Sequence, residues 1–447
     1  KTAGFLTIGV GLTGVITYLY FAVASHTLSK VDYGEIAVVW SAVFITVSTL
    51  YRPVDQLLSR HISERRTRGE PIGQPVRVAA IIQLGLGVAF GILALAFREP
   101  LQDDLLSGNE TLYWVFFSAV LGYAASYFAR GFLAGERQFG LFSILILAES
   151  IFRTAFAVAV AVGLFEGQSV VALGIVAAPC LSLVVVPLAF ARRARTESAP
   201  EPQDPEAGEG AAPEFSLAHG TGFAAAVLLI MLSEQVFLNA GPLLIRATEG
   251  AAAAGFIFNV LMVARAPLQL FQAVSTSILP HLTGLHHSEE ESSEEAFHHS
   301  IRMVLLAIAA FTAAVALAVL ALGPQLMQLA FGENFDYDRL GLLIVTFGMG
   351  LYLSSVTINQ ACLAQGQVRR ASLRWIGCAA FFVAWCLLPL IGDEFRRVEI
   401  GFTATAGALL AILYVIYRYP HERPEDVPDP GSSEELEGLI AAADEAG

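Results

Sequence analysis

Apolar stretches of about 20 or more residues recur along this chain from one end to the other. A helix of that length, rising 1.5 Å per residue, crosses a hydrocarbon core of ~30 Å. Composition agrees: of 447 residues, 55% are hydrophobic and only 15% charged, with a mean hydropathy of +0.62. A soluble domain of this size carries charge on roughly a quarter of its residues. The chain therefore reads as an all-α integral membrane protein with about twelve transmembrane helices.

The formal net charge of −14 resides mostly in polar segments outside the apolar blocks, at 197–214, 289–295 and 422–445, and suggests no nucleic-acid partner. Basic residues are almost all arginine, with lysine only at Lys1 and Lys30. Neither lysine follows a glycine-rich loop, so a Walker A motif and an ATP-driven motor are excluded from this chain. Cys180, Cys362, Cys378 and Cys386 all lie inside apolar blocks, which points to core packing and away from disulfides or a zinc site. No cleavable signal peptide is expected, because the first apolar block runs to about Ser25 without a typical cleavage site.

Hydropathy predicts spans at 5–25, 34–58, 76–97, 112–134, 141–164, 169–191, 217–245, 252–280, 301–322, 340–365, 372–391 and 399–419. An N-terminal six-helix lobe (1–191) and a C-terminal one (216–419) would flank a polar linker at 192–215, followed by an acidic tail at 420–447. Linker and tail have compositions that cannot form a packed core. The alternating loops divide the basic residues eighteen to six, with Arg60, Arg65, Arg66, Arg68, Arg137, Arg369 and Arg370 on the richer side. That bias predicts a cytoplasmic linker and cytoplasmic termini.

The lobes resemble repeats. Leu58 to Ser63 matches Leu279 to Thr283, Phe132 to Arg137 matches Cys362 to Gln367, and Gly108-Asn109-Glu110 matches Gly332-Glu333-Asn334, at offsets of 220 to 231 residues. Corresponding spans share one orientation, so the lobes should be parallel repeats around a central cavity.

Polar side chains inside spans are expensive enough to mark function. In the eighth span Arg265, Gln269, Gln272 and Thr276 lie at i, i+4, i+7 and i+11 on one helix face, with Pro267 beside the arginine. A stripe headed by a guanidinium suits an anionic solute, which it can grip through paired hydrogen bonds; the alternative is an arginine that snorkels or pairs with a neighbouring acid. Ser48, Arg52, Asp55 and Ser59 repeat the pattern in the second span, and Tyr123, Ser126, Tyr127 and Arg130 form a similar face in the fourth. In the seventh span Glu234 stands beside Gln235 and Asn239. It is suited either to carry a proton or to pair with Arg265. Glu149 and Arg153, spaced i, i+4, predict a self-neutralising pair within one helix.

Other features point to no chemistry. His281, His286, His287, His298 and His299, with Glu289 to Glu295, read as a solvated loop with no metal. Gly87-x-x-x-Gly91 and Gly131-x-x-x-Gly135 permit close helix contact. Asp336-Tyr337-Asp338 is an isolated acidic triplet in a short outer loop, and no loop is large enough for sugar chemistry, so an enzyme is not expected.

Several short motifs together carry a family resemblance: Asp32-Tyr33-Gly34 and the basic run 60–68, Gly135-Glu136-Arg137 ahead of Glu149 to Arg153, Ala254-Gly255-Phe256 ahead of Ala264 to Pro267 and Ile278 to Pro280, and Phe331 to Phe335. The chain resembles the polysaccharide-exporting branch of the multidrug/oligosaccharidyl-lipid/polysaccharide (MOP) exporter superfamily, which includes O-antigen and teichoic-acid flippases. The resemblance implies two six-helix lobes enclosing a V-shaped cavity that opens alternately to either side of the cytoplasmic membrane. It implies a polyprenyl-diphosphate-linked oligosaccharide as cargo, with Arg265 the best match to the cavity arginines of such flippases and Arg52 a further one. Gln269, Gln272 and Asn239 join them as candidate substrate contacts, and Glu234 is the ion-coupling candidate. Membrane lipids, a polysaccharide polymerase and glycosyltransferases are the implied partners of a monomer without cofactors. The lipid II flippase carries two further helices that this chain lacks.

Rival readings are an ion-coupled multidrug extruder of the same superfamily, a major-facilitator transporter and a membrane glycosyltransferase. The extruder would hold an unpaired carboxylate in its N-terminal half, where Glu149 has a neighbouring arginine and Asp55 lies near the surface. The major-facilitator loop motif is replaced here by Arg60 to Arg66.

Overall fold

Within hydrocarbon every backbone N–H and C=O must be bonded inside the chain, and a helix does this segment by segment. The computed structural model, which describes residues 2–187, 217–265, 293–333, 335 and 337–419, is helical throughout its apolar stretches. Thirteen α-helices are present among the described residues. The N-terminal lobe holds α1 (Thr2–Thr27), α2 (Lys30–Leu50), α3 (Arg52–Thr67), α4 (Gly73–Ala96), α5 (Glu110–Gly135), α6 (Phe139–Ala161) and α7 (Gln168–Ser182). The C-terminal lobe holds α8 (Leu217–Glu249), α9 (Ala251–Arg265), α10 (Ser293–Phe331), α11 (Arg339–Ala364), α12 (Val368–Leu387) and α13 (Glu394–Arg418). Eleven stretches are long and apolar enough to cross a membrane, α2 and α3 counting as one, and the described part of the twelfth is α9. The expected linker, the tail and the stretch 266–292, with Gln269, Gln272 and Thr276, lie outside the described residues.

Helix starts at the end away from the arginine-rich loops are capped locally. Ser29, Asn109, Asp338 and Asp393 accept from the backbone N–H of Asp32 (3.1 Å), Leu112 (3.2 Å), Gly341 (3.3 Å) and Arg396 (3.2 Å). Each such cap contributes about 1 kcal/mol. Asp338 also pairs with Arg396, whose other nitrogen bridges Glu399 at 2.8 Å, while the Tyr337 hydroxyl donates to Glu399. Burial, and then the Glu399 charge, push the Tyr337 hydroxyl above its ordinary value, so it remains a donor. Two members of the acidic triplet are thus structural; Asp336 lies outside the described residues.

The second span is not one helix. Pro53 has no N–H to donate and falls in the first turn of α3, after Tyr51 has closed α2 by donating to the Val47 carbonyl at 2.9 Å. The break sets Arg52 at a helix start. Gly131 and Gly135 let α5 lie against α3: a Cβ at Gly131 would fall 2.7 Å from the Asp55 carbonyl oxygen, and one at Gly135 2.6 Å from Ile62 Cβ. Gly87 and Gly91 have only ordinary contacts, 3.8 and 3.9 Å away.

The lobes meet at the end away from the arginine-rich loops. Phe21 packs on Phe258 (4.6 Å between centroids), Tyr18 on Phe331 (5.4 Å) and Tyr33 on Phe335 (5.4 Å). Tyr33 also hydrogen-bonds Asn259, and Arg246 donates to Ser107 at 2.7 Å. Gly34 and Gly255 lie where the helices cross, since a Cβ on Gly255 would approach Gly34 Cα to 2.9 Å. Together these contacts between the lobes form a seal at this end.

One turn recurs in both lobes. After α11, Gly366 (φ +74°) donates to Leu363 at 3.0 Å and Gln367 to Cys362 at 2.9 Å. After α5, Arg137 (φ +56°) donates to Ala134 at 3.0 Å and Gln138 to Leu133 at 2.8 Å. This is the left-handed helix ending that glycine serves best, and a Cβ there costs roughly 1–2 kcal/mol.

The α3–α5 contact yields a prediction. Gly131→Leu should lower stability in detergent by about 1–3 kcal/mol through overpacking, whereas Gly87→Ala should leave it within about 0.5 kcal/mol. Equal melting temperatures for the two variants would contradict the close approach at Gly131.

Candidate functional site

The break at Tyr51 leaves Arg52 half-buried at the start of α3. Glu234 on α8 lies within electrostatic range of it, and Tyr352 on α11 is within range of Arg52, Glu234 and Arg265 alike. Tyr352 is held by aromatic neighbours, with ring centroids 6.1 Å from Phe237 and 6.1 Å from Trp375. Arg265, at the end of the described part of α9, is half-buried and has Tyr352 as its electrostatic neighbour. Among the described residues no direct ion pair joins Arg52, Glu234 and Arg265. All three lie around Tyr352 without direct contact between their charges.

The polar trio of the seventh span is divided by its helix. Glu234 is half-buried, but Gln235 and Asn239 point elsewhere and are buried, with the Asn239 amide donating to Gln235 Oε1 at 3.1 Å. Residues i and i+4 share a face, and residue i−1 sits about 100° from it. Asn239 is therefore hydrogen-bonded within its own helix, on a different face from Glu234.

On the N-terminal side the charges continue. Asp55, one turn after Arg52, lies within electrostatic range of both Arg52 and Arg130. Arg130 on α5 bonds Glu149 on α6 at 2.6 Å, stacks over Tyr127 at 4.5 Å, and shares Glu149 with the Ser126 hydroxyl, which donates at 3.1 Å. The expected pair of Glu149 with Arg153 does not form. Arg153, only 3% exposed, donates to Thr17 Oγ1 at 2.9 Å and Tyr123 OH at 3.3 Å, with its guanidinium 4.3 Å from the centre of the Trp40 ring. The i, i+4 spacing permits contact, but an aromatic face with two hydroxyl acceptors holds Arg153, while Arg130 reaches Glu149 across the helix interface.

Arg265, Glu234 and Arg52 thus gather around Tyr352, and Arg130, Glu149 and Arg153 around Tyr123, with Asp55 between Arg52 and Arg130 to join them into one seam. Four arginines against three carboxylates leave it one positive charge in excess. Tyr352 was invisible to sequence reasoning, since one tyrosine in an apolar span has no pattern to expose it. Arg130 was seen as part of a polar face, without its partner.

The histidine-rich loop is described only in part: His298 hydrogen-bonds Tyr417, and among the described residues no group of three metal-ligating side chains converges.

No protein-family model matches the chain, and no curated protein is similar in sequence. Solved structures are similar in fold. A MATE structure in the bent conformation superposes with a TM-score of 0.59 at 15% identity, covering 94% of both chains. An outward-facing multidrug resistance MATE family transporter of the MOP superfamily gives 0.59 at 16% identity, again over 94% of each. A MOP superfamily transporter from Pyrococcus furiosus, reported with a binding pocket of reverse polarity, gives 0.54 at 16%, over 94% of this chain and 96% of its own.

Breaking the buried pair should be costly. Arg130→Ala strands the Glu149 carboxylate and should destabilise by about 3–5 kcal/mol, and adding Glu149→Gln should recover much of that loss. A double variant no more stable than Arg130→Ala, by thermal unfolding in detergent, would contradict the cross-helix pair.

The similarity spans nearly the whole chain and fixes the architecture as the two-lobed fold, with about twelve helices, of MATE transporters in the MOP superfamily.

Proposed function

We propose that the chain is an exporter that flips a polyprenyl-diphosphate-linked oligosaccharide across the cytoplasmic membrane by alternating access, for cell-surface polysaccharide synthesis. The observation that supports this reading is that Arg52 of one lobe and Arg265 of the other both lie in electrostatic range of Tyr352, without direct ion pairs among the described residues. Two guanidinium groups around one tyrosine favour a diphosphate, whose oxygens accept paired, charge-assisted hydrogen bonds. A cationic drug would meet a net repulsive field there. Glu234, in range of Arg52, is placed to feel whether that arginine is engaged by cargo, which suits a coupling role. The charge bias of the loops supports cytoplasmic termini, and a polymerase and glycosyltransferases are the expected partners in the pathway.

A multidrug exporter is the second reading, favoured by the similar structures described as multidrug resistance MATE family transporters. The polarity of the seam separates the two readings.

Arg265→Ala should reduce translocation of a lipid-linked oligosaccharide in proteoliposomes about tenfold or more, the effect of losing one charged hydrogen-bond donor. Undiminished translocation, or efflux of organic cations by the unaltered protein, would sink the flippase reading. Glu234→Gln should leave downhill exchange intact while removing the response to an imposed ion gradient. A full gradient response in that variant would reassign the coupling.

A further inference from the structure

The turn after α5 keeps an arginine where the matching turn of the other lobe has glycine. Arg137 and Gly366 share a left-handed backbone, at φ +56° and +74°, and make the same two hydrogen bonds. The fold alone would favour glycine at both. Strain retained at one copy of a repeated turn points to the side chain as its reason.

That side chain is exposed, and no acid or carbonyl among the described residues accepts from its guanidinium. It lines a cleft of about 470 Å³ at the arginine-rich end of the N-terminal lobe, within the roughly 300–1,000 Å³ typical of small-ligand sites. Opposite it, α3 presents Gln56, Ser59, Arg60 and Ser63, with Asp55 at the inner edge. Ser59 and Ser63 are one helical turn apart, so both hydroxyls face the same way. Arg60 is steadied through its Nε by Glu64 at 2.7 Å, which leaves its terminal nitrogens available. Asp55 is countered by Arg52 and Arg130, both within electrostatic range. Beside an apolar wall of Phe139 and Phe142, the cleft thus offers two guanidinium groups, two hydroxyls and an amide, with one carboxylate at its edge.

We propose that this cleft docks the phosphate oxygens of an anionic headgroup before the group moves inward. The donors suit that chemistry: a phosphate accepts several hydrogen bonds at once, and arginine supplies them in pairs. Location suits it too. Ser59 and Arg52 lie on one face of α3, two turns or ~10 Å apart, so a headgroup held here is next to the central seam. The proposal rests on the flippase reading in taking the docked headgroup as cargo. The donor set is shared by three sources of phosphate: a lipid-linked diphosphate, an ordinary anionic phospholipid and a free anion.

The test uses the full chain in phosphatidylcholine nanodiscs with Arg265→Ala as background, so that binding at the seam is already weakened. Farnesyl diphosphate is the probe, and Arg137→Gly the decisive variant. Its affinity should fall about tenfold while the melting temperature holds or rises, since glycine is at ease in that turn. Arg137→Lys should recover part of the binding. Among results that support the site, inorganic pyrophosphate competing as strongly as the probe assigns it to a free anion. Loss of probe binding in discs containing phosphatidylglycerol assigns it to membrane lipid, and neither effect assigns it to lipid-linked diphosphate. Unchanged affinity in both Arg137→Gly and Arg60→Ala would overturn the cleft. Normal translocation by Arg265→Ala with the cleft still binding would sink the central reading alone.

Discussion

A charge in hydrocarbon costs several kcal/mol unless it finds a partner or water, and that constraint shapes this protein from the inside out. Seven charged residues of the spans gather into one seam, where each lies in reach of the opposite sign or of an aromatic hydroxyl. Its two halves are built differently. In the N-terminal lobe half-buried Arg130 bonds buried Glu149, and buried Arg153 bonds Thr17 and Tyr123, which ties α5, α6 and α1 together. Arg52, Glu234 and Arg265 all lie within range of Tyr352 without direct ion pairs among the described residues, the arrangement expected where a ligand completes the pairing.

The remaining architecture serves that seam. Proline at position 53 ends a span early and brings Arg52 to a helix start. Glycines at 131 and 135 bring α5 against α3, which places Arg130 near Asp55. Glycines at 34 and 255 let the lobes approach closely at the end away from the arginine-rich loops, where Tyr33 meets Asn259. Closure by small residues is easily reversed, because it rests on van der Waals contact and a few hydrogen bonds.

Much of this was legible in the sequence, and what was not has physical causes. Apolar blocks announce spans because length and polarity alone decide whether a helix can sit in a bilayer. The loop match of Phe132 to Cys362 located the repeated turn one residue out of register; the hydrogen bonds pair Leu133 with Cys362 and Arg137 with Gly366. The Glu149 partner was misjudged because spacing along one helix says nothing about the neighbour across it. Gln235 and Asn239 looked like companions of Glu234, yet one residue of rotation turns them into the helix packing. Tyr352 had no signal, since its role comes from where α11 lies.

The central claim is that an anionic headgroup, engaged by arginines at the seam, draws the arginine-rich ends of the lobes together. Spin labels at Thr67 and Arg369, both exposed at the arginine-rich end of their lobes, report that distance by pulsed electron resonance once exposed Cys180 is replaced. Lipid diphosphate should shorten the distance, and a cationic drug should leave it unchanged. A distance that responds to the drug and ignores the diphosphate would contradict the claim.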